Sequence, residues 1–223
     1  MTAGSPGEEI LYTVRRSTRA RRVRVSVHAH TGVEVVLPQR APERAAAAAV
    51  SELRPWIEGR LDEAREALAL IAARAGTVPY LGRALQLVPQ QGRSRVHRDG
   101  ERLLVPEGDA RGALERYYRR AARREIAPRL DRAVALASLS YGDLTIRGQR
   151  TRWASCSTSG RMSFNWRLLL APEQVLEYVV WHEVCHLEIL DHSPRFWALL
   201  EGRWPGYRED RDWLSRHGAT LVL

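Results

Sequence analysis

The stretch "VVWHEVCHLEILDH" (residues 179–192) places two histidines, a glutamate and a third histidine inside a segment with the pattern of a buried helix. The predicted helix runs from Pro172 to Leu190, and apolar side chains cover most of its circumference, which is typical of a helix in a protein interior. Burying an unpaired polar group costs about 2–7 kcal/mol. The ionisable side chains in this stretch therefore need partners that offset that cost.

The spacing of these side chains predicts a metal site. His182 and His186 are four residues apart, so their imidazoles share one helix face and can bind one ion. A zinc ion at about 2.0–2.1 Å from each ring nitrogen would satisfy both. Glu183 follows one step round the helix, where a general base can take a proton from zinc-bound water. The pattern His-Glu-x-x-His is the zinc-hydrolase signature, and the alternative is a pair of core histidines hydrogen-bonded to backbone or hydroxyl groups.

A catalytic zinc ion usually has three protein ligands and one open position. His192 is the leading candidate for the third ligand, provided that the helix ends before it. Asp191 tolerates the left-handed conformation that a sharp corner there would use. The pair Ser193-Pro194 has the pattern of an N-cap followed by the first residue of a new helix. The alternative third ligand is Glu201, on that next helix.

Hydrophobic patterning predicts an α+β fold with a disordered leader (1–9), a β-rich N-terminal domain (10–108) and a C-terminal domain (109–223). The N-terminal domain is expected to contain a long helix within 42–76, which Pro55 should kink or divide into a helical hairpin. Strands are predicted at 11–14, 23–27, 33–37, 84–88, 94–97, 102–106, 143–148, 152–157 and 161–170. Further helices are predicted at 110–137, 172–190, 194–203 and 208–216.

The composition bears on partners and location. All 35 basic residues are arginine and 26 residues are acidic, which gives a net charge of +9. Six of the arginines fall in segment 14–25, and such a surface favours weak association with nucleic acid, although the abundance of Arg and Ala also fits a codon bias. With only two cysteines, no signal peptide and no run of apolar residues long enough to span a membrane, the sequence predicts a cytoplasmic protein. The oligomeric state is not predicted.

Several stretches together resemble the YgjP-like metallopeptidase domain family, a zincin-type family related to SprT-like proteins. The matching stretches are "RWASCS" (152–157), "FNWRLLLAP" (164–172), "YVVWHEVCHLEILDHSPRFW" (178–197) and "PGYREDRDWL" (205–214), with "RRVRVSV", "GVEVVLP", "WIEGRL" and "PYLGRALQL" in the N-terminal half. The resemblance covers nearly the whole chain from about residue 12, and Ala154 departs from the glycine that the family usually has there. It implies a zincin-like C-terminal part and a zinc-dependent hydrolase, with His182, His186 and His192 as ligands and Glu183 as the base.

The favoured function is a zinc-dependent peptidase that acts on peptides or proteins. The alternatives are a metal-dependent hydrolase of nucleotide pyrophosphates, with a nucleoside triphosphate held by arginines, and a DNA-associated protein with a structural zinc ion. In zincins the strand before the motif helix lines the cleft, so "TRWASC" or "SFNWRL" is expected to pair with an extended substrate. Arg152 and Asn165 are candidates for substrate contacts, and Tyr207 is a candidate oxyanion donor.

Overall fold

The structure, a computed structural model, describes residues 9–28, 32–149 and 152–223. The predicted leader, apart from Glu9, and the tip of the predicted hairpin at 29–31 lie outside the described residues. In the described part the chain is mixed α+β, with six α-helices and three sheets, as the sequence predicts. It divides into two compact units, Met1–Ala73 and Arg74–Leu223. None of the described helices has both the length and the hydropathy needed to cross a membrane.

The first unit contains a three-stranded sheet. Its strands are β1 (Tyr12–Ser17), β2 (Arg24–His28) and β3 (Gly32–Pro38), in the order β1-β3-β2. The predicted antiparallel pairing of β2 with β3 is confirmed, whereas β1 runs parallel to β3. Alternate side chains of β3 are buried, as the period of a strand requires. These residues are Val33, Val35 and Leu37.

Two helices of the first unit cover the buried side chains of β3. The predicted helix at 42–76 is divided at Leu53 into α1 (Arg44–Glu52) and α2 (Arg54–Ala72). Pro55 lies in the first turn of α2, where its missing N–H costs no helical hydrogen bond. The predicted division is therefore confirmed. The residues of the two helices that complete this core are Ala46, Val50 and Ile57.

The second unit begins with a four-stranded sheet. Its strands are β4 (Thr77–Tyr80), β5 (Arg83–Gln90), β6 (His97–Asp99) and β7 (Arg102–Pro106), in the order β4-β5-β7-β6. Strand β4 was not predicted from the sequence. It has only four residues, one of which is a proline, and this is too short for an alternating pattern to be recognised. The turn between β6 and β7 has Gly100 at a φ of 60°, a conformation that favours glycine.

The long helix α3 (Ala110–Leu136) explains why the observed boundary between units differs from the predicted one. The sheet of β4 to β7 and α3 contribute to one continuous core, in which Leu85 and Leu103 belong with Tyr118 and Ile126. The boundary therefore falls between Ala73 and Arg74 instead of between residues 108 and 109. The strand-rich composition of residues 10–108 predicted a domain separate from α3. Composition carries no information on which helix covers a sheet, so it could not show that α3 shares a core with β4 to β7.

A second sheet of this unit contains β8 (Asp143–Arg147), β9 (Ala154–Cys156) and β10 (Arg161–Asn165), in the order β8-β10-β9. The prediction of a strand over 161–170 is wrong in its second half, since residues 166–170 form a 3-10 helix. The Asn165 side chain caps this helix, and its Oδ1 accepts a hydrogen bond from the backbone N–H of Arg167 at 3.1 Å. A local side-chain bond of this kind competes with strand pairing.

Three helices complete the unit, namely α4 (Glu173–Cys185), α5 (Pro194–Arg203) and α6 (Tyr207–His217). Arg129 of α3 joins α3 to α4, because its guanidinium contacts Glu173 and, at 3.2 Å, Glu177, together with Glu125 of its own helix at 2.7 Å. Its side chain is only 12% exposed. Its pair with Glu177, which is 13% exposed, is screened little by water and salt, so this pair helps to hold α4 on α3.

Candidate metal centre

Helix α4 carries His182 and Glu183, and it ends five residues before the predicted end at Leu190. Beyond Cys185 the backbone tightens, and Leu187 N–H and Glu188 N–H donate to carbonyls three residues back, both at 3.1 Å. Bonds of this 3-10 type commonly close the last turn of a helix. The early end matters, because a continued helix would carry His192 away from His186.

The predicted left-handed corner at Asp191 is wrong, since Asp191 is not among the described residues with positive φ. Instead its Oδ1 accepts a hydrogen bond from the backbone N–H of Ser193 at 3.0 Å, as in the turns that Asp favours. The next helix starts as predicted, with Ser193 at the N-cap and Pro194 at the first position. The direction of the chain therefore changes through the 3-10 turn and this side-chain bond.

The segment after α4 is fixed from α5. Arg203 forms an ion pair with Glu188 and directs a second guanidinium nitrogen to the Cys185 sulfur at 3.7 Å. Cys185 immediately precedes His186 in the chain, and Glu188 follows it by two residues. One side chain of α5 thus holds the end of α4 and the turn that leads to His192.

Three imidazoles converge where the turn meets α4. His182 Nε2 lies 3.1 Å from His186 Nε2 and 3.0 Å from His192 Nε2. Candidate ligand atoms of the three residues all lie within 4.8 Å of one another. Ligands at about 2.0–2.1 Å from a tetrahedral ion are separated by about 3.3 Å. The observed separations from His182 are close to that value.

A metal ion fits this cluster better than hydrogen bonds do. Each ring nitrogen carries either one proton or one lone pair, so His182 Nε2 can form a good hydrogen bond with only one of its two neighbours. The other short nitrogen–nitrogen contact is then unsatisfied. A cation placed among the three nitrogens accepts all three lone pairs at once, so the donor set suits a divalent ion of the nitrogen-preferring kind.

The tautomer of His186 leaves Nε2, the nitrogen that faces His182, free to bind a metal ion. His186 Nδ1 lies 2.9 Å from the carbonyl oxygen of Ile189, which can only accept, so Nδ1 carries the proton and Nε2 carries the lone pair. Burial, with the neighbouring imidazoles as a further cause, lowers the pKa of His182 to about 3. Burial also lowers the pKa of His186. Both rings are therefore neutral at pH 7, which is the state that binds metal.

Aromatic rings hold the three imidazoles in place. Phe196 of α5 is fully buried and contacts all three, with ring centroids 4.9 Å from His182, 4.5 Å from His186 and 4.9 Å from His192. Trp197 packs on the outer side of the cluster, 5.6 Å from His192. Phe196 thus touches each candidate ligand.

Glu183 is buried next to this cluster, with 4% of its surface exposed. Burial raises the pKa of its carboxyl group to about 8, and a backbone hydrogen bond from Cys156 opposes that rise. The second oxygen, Oε2, is buried and has no hydrogen-bond partner among the described residues. A cation held by the adjacent histidines would stabilise the carboxylate and lower this pKa. Glu183 is thus a buried acid with one oxygen available for a ligand.

Strand β9 supplies the backbone group that binds Glu183, and it is an edge strand. In the described part of the chain β9 has a neighbour on its β10 side alone, whereas β10 is paired on both sides. Of the two segments predicted to pair with substrate, "SFNWRL" is therefore excluded and "TRWASC" keeps a free edge. Ser155 and Ser157 bond towards β10, so the alternation of an antiparallel ladder directs the backbone groups of Ala154 and Cys156 outwards.

Three of the other predicted site residues, Glu201, Asn165 and Tyr207, have structural partners. Glu201 lies outside the histidine cluster and pairs with Arg208. Asn165 Nδ2 donates to the carbonyls of Gln149 and Arg152, at 2.7 and 3.2 Å, so its amide joins these two residues. Tyr207 is buried and stacks on Trp197 with centroids 5.5 Å apart. Arg152 alone is exposed and lines a cavity.

Sequence reasoning missed two groups that matter to the site. They are the backbone N–H of Cys156, which binds Glu183, and the backbone carbonyl of Ile189, which orients His186. Every residue has these backbone groups, so no residue type marks them in a sequence. Only the fold decides which of them reach the site.

Comparisons with known proteins bear on this site. The model of the YgjP-like family, described as a metallopeptidase domain, matches residues 21–217, which is most of the chain. The chain belongs to the YgjP-like metallopeptidase family. The resemblance inferred from the sequence motifs is thereby confirmed, and metal-dependent peptide hydrolysis is the activity at the level of the family.

Two solved structures are similar to parts of this YgjP-like chain. The metallopeptidase zymogen abylysin of Pyrococcus abyssi is 24% identical, with 40% of this chain and 90% of that chain covered and a TM-score of 0.37. The metallopeptidase zymogen jannalysin of Methanocaldococcus jannaschii is 17% identical, with 41% and 94% covered and a TM-score of 0.37. A comparison with curated proteins finds no match.

Proposed function

We propose that this protein is a zinc-dependent peptidase of the zincin type, in which His182, His186 and His192 bind the metal and Glu183 is the general base. The observation that carries the proposal is the convergence of three imidazoles on one point beside a buried carboxyl group with an unpartnered oxygen. A structural zinc site usually has four protein ligands. Three ligands next to an acid with a free oxygen favour a catalytic site.

The residues of the site divide the chemical work. Zinc held by three imidazoles supplies Lewis acidity, which makes a water molecule more acidic and polarises a carbonyl group. Glu183 accepts the proton of the attacking water on Oε2, while its other oxygen stays bound to the N–H of Cys156. The same carboxyl group then donates that proton to the amine that leaves. Phe196 packs against the His186 ring and Trp197 against the His192 ring, which restricts the orientation of both imidazoles.

The free edge of β9 is the proposed binding site for the substrate backbone. The outward-facing backbone groups of Ala154 can pair with an extended peptide, which adds a strand to the sheet. Cys156 is next but one in the strand and binds Glu183. A peptide bond held against this part of β9 therefore lies near the proposed base.

Metal removal tests the proposal. The purified chain is expected to contain one zinc ion per molecule by elemental analysis and to cleave unfolded casein. A chelator should abolish the cleavage, and added zinc should restore it. If the metal-loaded chain leaves casein and short peptides intact, the proposed peptidase activity is wrong.

Substitution of His192 tests the third ligand. His192→Ala is expected to weaken zinc binding by more than about 100-fold, because loss of a direct ligand costs more than the 10–100-fold typical of an outer-shell partner. Competition with a coloured chelator measures this affinity. Glu201→Ala is the matched control and should bind zinc like the parent. The reverse result would assign the third position to Glu201.

Two alternatives remain as separate predictions. Nucleotide pyrophosphate hydrolysis would use the same residues and would release pyrophosphate from nucleoside triphosphates. Weak association with nucleic acid would use the segment 14–25. In that segment Arg15 pairs with Glu34 at 2.9 Å and Arg16 donates to two backbone carbonyls, while the other four arginines are exposed. These four are the candidates for phosphate contacts.

A further inference from the structure

A cavity of about 630 Å³ lies on the second sheet of the larger unit, on the face opposite its apolar core. Strand register places Thr145, Ser163 and Ser155 side by side across the three strands, and all three line the cavity. Between the latter two hydroxyl groups the oxygen–oxygen distance is 2.9 Å. The floor of the cavity is thus a row of hydroxyl groups, which suits a polar ligand.

The charged side chains around this floor are mostly arginine. Arg147, Arg152 and Arg161 line the cavity together with a single acid, Asp143, so three positive charges and one negative charge leave a net charge of +2. Within the described ranges none of these arginines forms an ion pair. Guanidinium groups without an acidic partner, beside hydroxyl donors, match a carboxylate or phosphate group.

The cavity is next to the candidate catalytic residues. Cys156 lies at its border, and the backbone N–H of the same residue binds Glu183. Strand β9 therefore has the cavity on one face and contacts the proposed base through the Cys156 N–H at its free edge. A substrate group in the cavity is therefore separated from the backbone at β9 by at most a few residues of extended chain.

An extended peptide at the free edge of β9 would reach this cavity. Successive side chains of a strand point to opposite faces of a sheet. Ser155 points to the cavity, whereas its neighbours Ala154 and Cys156 point to the apolar side. A peptide paired with β9 presents alternate side chains to the cavity in the same way.

We propose that the cavity beside β9 is a substrate subsite for an acidic side chain, and that Arg147, Arg152 and Arg161 make the protein select peptides with Asp or Glu at alternate positions near the cleaved bond. The proposal rests on the peptidase function proposed above, because it assumes a peptide along β9. It adds a substrate class to the proposed peptidase activity. The +2 charge of the cavity and its hydroxyl floor favour a carboxylate over an apolar side chain.

Peptide binding to the full chain carrying Glu183→Gln tests the subsite without cleavage. Two short peptides with an uncharged dye differ only in having Glu or Gln at two alternate positions. Fluorescence anisotropy is expected to show about tenfold tighter binding of the Glu peptide, and added salt should reduce the difference. Arg147→Gln, Arg152→Gln and Arg161→Gln, combined in the same chain, should abolish the preference.

A matched control removes the same charge elsewhere. Arg60, Arg65 and Arg102 are exposed and each forms an ion pair with a neighbouring acid. Their replacement by Gln should leave the preference intact. The subsite proposal would be overturned if the two peptides bound equally well. It would also be overturned if both triple variants lost the preference for the Glu peptide to the same extent.

The parent chain separates this inference from the proposed function. Cleavage of both peptides at the same rate, with no binding preference, would remove the subsite and leave the peptidase in place. Preferential binding of the Glu peptide without cleavage of any peptide would retain the subsite and remove the peptidase. Displacement of the Glu peptide by a nucleoside triphosphate, with release of pyrophosphate by the parent, would overturn the peptide as occupant.

Discussion

Glu183→Gln is expected to lower peptide hydrolysis by about 10²–10⁴-fold, the range for loss of a general acid–base group, while the zinc content stays the same. Glutamine has nearly the same shape and keeps an oxygen for the N–H of Cys156, but it cannot accept the proton of the attacking water. Casein cleavage and elemental analysis of the same preparations measure the two quantities. Because Glu183 is buried, a role as a surface charge does not explain a loss of activity.

Two comparisons make the Glu183 result specific. Glu209→Gln removes an exposed carboxylate from α6 and should leave both the rate and the zinc content unchanged. In the presence of chelator, the free energy of unfolding of Glu183→Gln should not fall below that of the parent. Burial raises the pKa of Glu183 to about 8, so near pH 7 the parent must take up a proton on folding, a cost that the neutral amide avoids. If Glu183→Gln keeps more than about a tenth of the parent activity, Glu183 is not the base.

Phe196→Ala is expected to lower the free energy of unfolding by about 3–5 kcal/mol, the cost of deleting a large side chain from a core. It should also weaken zinc binding by about 10–100-fold, because the ring packs against all three candidate ligands and fixes their orientation. Urea unfolding in the presence of chelator gives the first quantity. Zinc competition under native conditions gives the second.

Phe164→Ala separates the two effects of the Phe196 substitution. Phe164 of β10 is also fully buried, and its ring makes no contact with the three histidines. Its loss should destabilise the fold by a similar amount and leave the zinc affinity of the folded chain unchanged. Equal losses of zinc affinity in both variants would mean that Phe196 acts through general stability alone.

Much of the fold could be predicted where local rules dominate. The division of the 42–76 helix at Pro55, the pairing of β2 with β3 and the start of α5 at Ser193-Pro194 depend on backbone geometry within a few residues. Where tertiary packing competes with local preference, the prediction was less accurate. The helix that stops at Cys185, where Arg203 contacts the following turn, is an example.

The candidate site also combines features that follow from the local sequence with features that depend on tertiary packing. The helical spacing of His182 and His186 is a property of the sequence, since four residues make about one turn of any α-helix. The distance from His192 to His182 does not follow from spacing in the sequence. It depends on how the chain turns after Cys185 and on the contact of Arg203 with that turn. His192 was predicted to approach His182 through a left-handed turn at Asp191, whereas the structure brings the two rings together without that turn.

The sequence alone determined the α+β class, the helix with its ionisable residues and the chemistry of those residues, because these follow from side-chain type and from spacing within one helix. Only the tertiary structure decided which strand has a free edge, which backbone groups meet Glu183 and His186, and where the two units divide. Those features join residues that are far apart in the chain, and their energy depends on packing between elements. No local pattern of residues records such contacts.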